Sequence, residues 1–217
     1  MSSDSSIAGL SKSRVEALTD GIFATVMTVL VLTLSVPVVA GSLSGSQLTQ
    51  GVDAAVQNLL PDILSYVLSF LLLAVMWISH HYVFHYIARI NRQLLWLNIV
   101  FLLTIGFIPF STALLGRYPF VQLPVIIYGA NVAGVAIAMQ GFLQYAVRSK
   151  MLIAEGDAAE LIKRIIFRWR LGVIIYSSAI LVSYASTQVS IVIYVLALCY
   201  YVISSSLRTG PIVRVTR

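Results

Sequence analysis

Residues 14–37 open on a cation, Arg14, place an acid at Asp20, and then run apolar to Pro37. Beyond Asp20 the only polar side chains before Pro37 are the hydroxyls of Thr25, Thr28, Thr33 and Ser35. About twenty such residues at 1.5 Å rise cover a hydrocarbon core of roughly 30 Å. The pattern therefore predicts a spanning helix over about 18–39. Five more apolar stretches follow, at about 62–88, 94–115, 121–147, 167–185 and 189–206. Pro61-Asp62 opens the second, because proline is favoured in a first helical turn. Pro109 predicts a kink or break near the far end of the third. The polar stretch before the second span predicts a short amphipathic helix over 47–60, lying at the interface. The linker 148–170 is highly charged, and from Ala158 it reads as a helix start that flows into the fifth span. Residues 1–13 form a Ser-rich arm and 208–217 a tail, which leaves one transmembrane domain over 14–207.

Within the first span, helical angles of about 100° per residue put Thr25, Thr28 and Leu32 on one side, with Val29 and Val36 flanking them. A helix facing lipid needs no such stripe. A helix lining a narrow aqueous path uses it to alternate hydroxyl dipoles with apolar rings. The alternative is that Thr25 and Thr28 bond back to carbonyls one turn earlier, or help helices pack. In the fourth span Gly129, Gly134 and Gly141, among several alanines, offer close helix approach. Asn131 and Gln140 there are expected to bond across to another helix.

Composition agrees with the pattern. Of 217 residues 59% are hydrophobic and only 10% charged, and mean hydropathy is +0.93. Soluble domains are nearer one quarter charged, so the chain is an all-α polytopic membrane protein of six spans. The first apolar run exceeds a signal-peptide core and starts at Asp20, so it reads as retained. The net charge of +6 is not a nucleic-acid signal. With the N-terminus inside, thirteen of the fourteen Lys and Arg residues fall on the cytoplasmic side, and only Arg117 lies outside. Both termini are therefore placed inside, with the cations at an anionic leaflet. Cys199 is the single cysteine, so no intrachain disulfide exists.

Chemistry-bearing residues are few. His80, His81 and His85 are the only histidines. His81 and His85 stand one turn apart, a metal-holding spacing, but four ligands are hard to assemble from three histidines and a few acids. No metal site or cofactor is expected. One histidine is expected to pack inward with Trp77 and bond a neighbour, with the others meeting water. Arg14 and Asp20 lie about 600° apart along a helix and do not share a face, so each is expected to pair with other helices. Thr19 and Asp20 alternatively satisfy free amides near a helix start. No Ser-His-Asp or Cys-His arrangement, P-loop or dinucleotide glycine pattern is present, and no enzyme is predicted. The carbonyl-filter sequence T-V-G-Y-G is absent too, so any ion selection falls to side chains on a helix.

The pattern Arg14-x-x-x-Leu18-Thr19-Asp20, followed by Gly21-Ile22-Phe23-Ala24, resembles the R-x-x-x-F-S-D signature of the transmembrane protein 175 family. The resemblance continues in Trp77 with His80 or His81, in Leu94-Leu95-Trp96-Leu97-Asn98, and from Phe107 through Pro109 to Gly116. It covers roughly the first half of the chain, and the length is that of the six-span prokaryotic form. The resemblance implies a homotetrameric, potassium-permeable channel in the plasma (inner) membrane of a prokaryote. It implies a pore walled by the first helix of each subunit, with the narrowest position at Thr25 and further ones at Thr28, Val29 and Leu32. Potassium, other monovalent cations and the lipid bilayer are then the partners. It further implies that Arg14 and Asp20 join polar groups on the second and third spans, with Trp77, His80 or His81, and Asn98 as candidates. Thr25 departs from the Ile or Leu of relatives. A smaller hydroxyl-bearing residue there implies a wider constriction and weaker potassium-over-sodium preference, or a gate displaced to Val29 and Leu32. The alternative function is a secondary transporter or proton-coupled carrier, although no charge is placed near mid-membrane.

Overall fold

The computed structural model describes residues 11–39, 44–152 and 157–206. The chain forms α1 (Lys12–Val29), tightening into a 3-10 turn over Leu30–Thr33, then α2 (Ser46–Asn58) and α3 (Leu60–His85). It continues with α4 (Arg92–Gly106), α5 (Ile108–Arg117), α6 (Gln122–Arg148), α7 (Asp157–Val182) and α8 (Thr187–Ser206). Among the described residues six units are long and apolar enough to cross a membrane: α1 with its 3-10 turn, α3 with α2 before it, α4 with α5, α6, α7 and α8. Every span expected from the pattern is present.

The punctuation follows the sequence. Pro61 lies in the first turn of α3. The break between α4 and α5 falls at Phe107, and Pro109 sits in the first turn of α5, where its missing N–H costs nothing. Asn91 caps α4, its side-chain oxygen accepting from Leu94 N at 2.9 Å. The amphipathic α2 buries none of its side chains.

The first span departs from expectation at both ends. Its helix begins at Lys12, so Lys12 and Ser13 belong to α1 rather than to an arm, while residues 1–10 and the tail 208–217 lie outside the described residues. Thr19 and Asp20 therefore stand about two turns inside the helix and do not cap its start. At the other end helix stops at Thr33, and Leu34 is extended at φ −89° and ψ 111°. Three causes converge. Val29, Val31 and Thr33 are β-branched, Thr33 Oγ1 donates to Leu30 O at 2.7 Å, and Pro37 disfavours helix at Val36. Val36 thus sits on an extended exit segment, and helical angles no longer place it beside Thr25 and Leu32.

α6 is the central post, packed against α4, α5, α7 and α8. Its small residues let neighbours close in. A Cβ on Gly129 would overlap Tyr194 Oη and lie 2.8 Å from Ile180 Cγ1. The polar side chains of α6 bond across, as expected. Asn131 meets Ser111 Oγ at 3.0 Å, and Gln140 Nε2 donates to Ile166 O at 2.7 Å. Between α3, α5 and α6, Thr112 Oγ1 donates to Ser69 Oγ at 2.8 Å, and Tyr128 Oη stands 3.3 Å from the same oxygen.

One end of the bundle gathers the start of α1, the end of α3 and the links flanking α4 and α6. Lys12 Nζ donates to His85 O at 3.3 Å, Ala88 N donates to Met151 O at 2.9 Å, and Ile87 pairs with Leu152. Arg89, Arg92, Arg148 and Lys150 lie at this same end.

Gly129→Ala is expected to destabilise the fold by about 1–3 kcal/mol through overpacking. Gly134→Ala, whose Cβ would meet nothing nearer than Thr104 Cγ2 at 4.0 Å, is expected to leave stability unchanged or slightly raised. Thermal unfolding of the two variants in detergent measures the difference.

Candidate pore helix and its polar support

α1 divides its surface between two faces. Val15, Thr19, Phe23, Val26 and Leu30 are buried against the chain's own helices, at spacings of three and four. Roughly 120° around the helix lie Leu18, Gly21, Thr25, Thr28, Val29 and Leu32, all uncovered by the rest of the chain. Leu32 is 76% exposed. Arg14 lies on the first turn of the same side and Asp20 is also exposed. The structure therefore brings Thr25, Thr28, Val29 and Leu32 into one stripe.

The threonine hydroxyls are committed to the helix itself. Thr25 Oγ1 donates to Gly21 O at 2.8 Å, and Thr28 Oγ1 is within 3.0 Å of Ala24 O and 2.8 Å of Thr25 O. Back-bonding and an uncovered stripe, alternatives at the sequence level, thus coexist. A hydroxyl whose hydrogen points into its own helix turns its lone pairs outward. The stripe consequently presents oxygen acceptors and methyl groups in alternation, with no donor aimed away from the helix.

The buried face is held by a polar relay through three helices. Asn98 Nδ2 on α4 donates to Thr19 Oγ1 on α1 at 3.0 Å. That leaves Asn98 Oδ1 to accept from His80 Nε2 on α3, also at 3.0 Å. Thr19, Asn98 and His80 are all buried, His80 to 3% exposure. The imidazole is fixed by flat contacts with Phe84 at 4.3 Å and Phe101 at 5.3 Å. Phe23 of α1 packs on that pair, 6.0 Å from Phe101 and 6.5 Å from His80. Trp169 of α7 meets Phe101 edge-on at 6.3 Å, while its Nε1 donates to Ser79 Oγ beside His80 at 3.0 Å.

A second tie lies on the exposed side. Trp77 Nε1 donates to Asp20 Oδ1 at 2.8 Å, and the His81 ring is 5.7 Å from the Trp77 ring. The histidine that turns inward is therefore His80, and it does so without Trp77, which pairs outward with Asp20 and His81. Consecutive residues on a helix point about 100° apart, so His80 and His81 cannot share a role. His85 is exposed, and among the described residues no group of His, Cys, Asp and Glu is arranged to hold a metal.

Sequence reasoning missed the aromatic packing of Phe23, Phe84, Phe101 and Trp169. A signal for the inner face of α1 exists in the spacing of Val15, Thr19, Phe23, Val26 and Leu30. The partners on α3, α4 and α7 leave no such trace, because their facing is set by tertiary packing.

Comparison with known proteins places this geometry in context. Residues 14–109 match the family model described as the endosomal/lysosomal potassium channel TMEM175. A potassium channel of Chamaesiphon minutus is 30% identical over 200 residues, covering 89% of this chain and 94% of that protein. A potassium channel of Streptomyces collinus is 29% identical over 192 residues, covering 87% and 90%. The crystal structure of a lysosomal potassium-selective channel TMEM175 homolog from Chamaesiphon minutus superposes with a TM-score of 0.76 at 26% identity, covering 89% of this chain and 97% of that one.

Asn98→Leu strands Thr19 Oγ1 and His80 Nε2 in an apolar interior, so a loss of about 1–3 kcal/mol is expected. Trp77→Phe removes only a bond exposed to solvent or headgroups and is expected to cost less than about 1 kcal/mol. Thermal melts of the purified variants compare the two.

Proposed function

We infer that this chain, which belongs to the endosomal/lysosomal potassium channel TMEM175 family, conducts potassium passively through a central pore walled by α1 of several identical subunits. Four copies is the number proposed. The family is one of channels, so the expectation that the chain is not an enzyme agrees with it. The observation that carries the reading is the division of α1. One face is consumed by the chain's own core, while the Thr25, Thr28, Val29 and Leu32 stripe has no partner within the subunit.

In the proposed mechanism a dehydrating cation meets outward lone pairs at Thr25 and Thr28. Val29 and Leu32 then form the apolar ring that closes the path by dewetting. Val36, on the extended exit beyond the helix, lines the outlet rather than the constriction. Leu32 lies one turn beyond Thr28 and is the bulkiest of these four side chains, which supports a gate there and an oxygen ring at Thr25 and Thr28. Other monovalent cations that fit the oxygen ring pass as well.

The relay Thr19–Asn98–His80, with the Asp20–Trp77 tie, is proposed to set the tilt and rotation of α1 and so the radius of the assembled pore. It does not bind the permeating ion: Thr19, Asn98 and His80 lie on the buried face, and the Asp20 carboxylate is taken up by Trp77. Arg14, at the start of that stripe, is proposed to act at the subunit junction. The gathering of Lys12, Arg89, Arg92, Arg148 and Lys150 at one end supports a cytoplasmic position for that end, with both termini inside, in the inner membrane of a prokaryote. A secondary transporter is not favoured, since the break at Phe107 has no counterpart among the continuous α6, α7 and α8.

Recordings in planar bilayers with potassium and sodium on opposite sides test the reading. Wild type is expected to give a non-saturating passive current with a reversal potential on the potassium side. Thr25→Ile replaces an outward oxygen with a larger apolar group. It is expected to lower conductance and move the reversal potential further toward potassium, and an unchanged reversal potential removes Thr25 from the filter. Leu32→Ser is expected to raise the open fraction by wetting the gate.

A further inference from the structure

At the end of the bundle opposite the cation-rich one, a cavity of about 720 Å³ opens under α2. That volume lies within the range of small-ligand sites, roughly 300–1,000 Å³. Its wall carries one acid, Asp62, and one base, Arg117. Asp62 sits in the first turn of α3 and Arg117 in the last turn of α5. The two helices touch here through Gly116: a Cβ on that residue would come within 2.7 Å of Asp62 Oδ1 and 3.0 Å of Asp62 Cα. The contact pins the carboxylate beside the residue that precedes Arg117. Among the described residues neither Asp62 nor Arg117 is engaged in an ion pair; Lys163 and Glu160 are. An acid and a base thus line one space, and no ion pair joins them.

Apolar and aromatic side chains make up most of the rest of the wall, which also carries Thr33, Ser35 and Asn58. Phe110 and Tyr118 are more than half exposed, and Val36 and Leu59 also line the cavity. The position is the membrane surface, because α3 begins and α5 ends there, and the amphipathic α2 roofs it without burying a side chain. A ligand that fits must offer a cation with hydrogens to Asp62, an anion with paired oxygens to Arg117, and hydrocarbon to the remainder. Ammonium supplies three donors, and a guanidinium binds phosphate through two parallel bonds. Among membrane lipids this is the phosphoethanolamine headgroup. Choline has no hydrogen to give a carboxylate, and a glycerol headgroup has no cation.

We propose that the cavity between α2, α3 and α5 is a binding site for the headgroup of an outer-leaflet phosphatidylethanolamine, with its ammonium on Asp62 and its phosphate on Arg117. Ser35 and Val38 of the exit segment line the same cavity, so an occupied site braces the segment that follows α1. The site does not depend on the pore reading, since lipid retention requires no conduction.

The test is native mass spectrometry of the full-length protein in detergent, with phosphatidylethanolamine, phosphatidylcholine and phosphatidylglycerol of matched acyl chains added in equal amounts. Wild type is expected to retain phosphatidylethanolamine about tenfold over the other two, the weight of one charge-assisted contact. Asp62→Asn is expected to lose the preference over phosphatidylcholine, and Arg117→Gln to lose retention of all three. Asp53→Asn, on α2 but outside the cavity wall, is expected to behave as wild type. Equal retention of the three lipids by the wild type overturns the proposal, whether or not the variants fold, and so does full retention by both Asp62→Asn and Arg117→Gln. Retention of added phosphoethanolamine without acyl chains, as tightly as the lipid, assigns the site to a soluble zwitterion and overturns the lipid assignment.

Discussion

One amide holds three helices in register. Asn98 spends its nitrogen on Thr19 and its oxygen on His80, so α1, α3 and α4 meet at a single buried side chain. The bond matters because α1 has little else. It buries only Val15, Thr19, Phe23 and Val26 along its length, with Leu30 in the turn that follows. In a membrane, apolar contacts between helices compete with equally apolar lipid, so packing and interhelical hydrogen bonds decide orientation. A hydroxyl–amide–imidazole chain also has direction. It is satisfied at one rotation of α1 and leaves buried polar groups bare at others. The flat aromatic contacts of Phe84 and Phe101 then deny the imidazole a second pose.

From that constraint the uncovered stripe follows. With Thr19 and Phe23 turned inward, Thr25, Thr28, Val29 and Leu32 must point away from the subunit. The local chemistry of the stripe is set by the helix as well. Threonine hydroxyls that donate to carbonyls one turn earlier keep their oxygens outward, a surface suited to a partly dehydrated cation. The extended exit beyond Thr33 ends the stripe abruptly. The same departure from helix opens the space under α2 where Asp62 and Arg117 stand unpaired.

Much of this was legible in the residues, and the failures share a cause. Hydropathy marked all six spans, and Pro109 marked the break between α4 and α5. Asn131 and Gln140 bond across helices, as polar residues in an apolar segment must. The end of α1 was misplaced because hydropathy reports the surrounding solvent and not the dihedral angles: the apolar run continues to Pro37 while helix stops at Thr33. The choice between His80 and His81 was open for a related reason. Adjacent residues are chemically identical there, and only the position of Asn98 on α4 selects one. Trp77, expected beside the inward histidine, instead follows His81 to the outer side, where Asp20 is its acceptor. Asp20 is thus bound by a neighbouring helix, while the buried hydroxyl of Thr19 beside it carries the inner support.

The central claim is that the uncovered stripe of α1 faces water on a shared axis and not lipid. Thiol accessibility decides this most directly. With exposed Cys199 replaced by serine, a single cysteine is placed at Leu32 and, separately, at Leu103 of α4, which are 76% and 72% exposed in the lone subunit. A membrane-impermeant cationic thiol reagent is then applied during potassium recordings. Block at Leu32→Cys with no effect at Leu103→Cys is the predicted result. Current that persists unchanged at Leu32→Cys, with the thiol later found unreacted, contradicts the account.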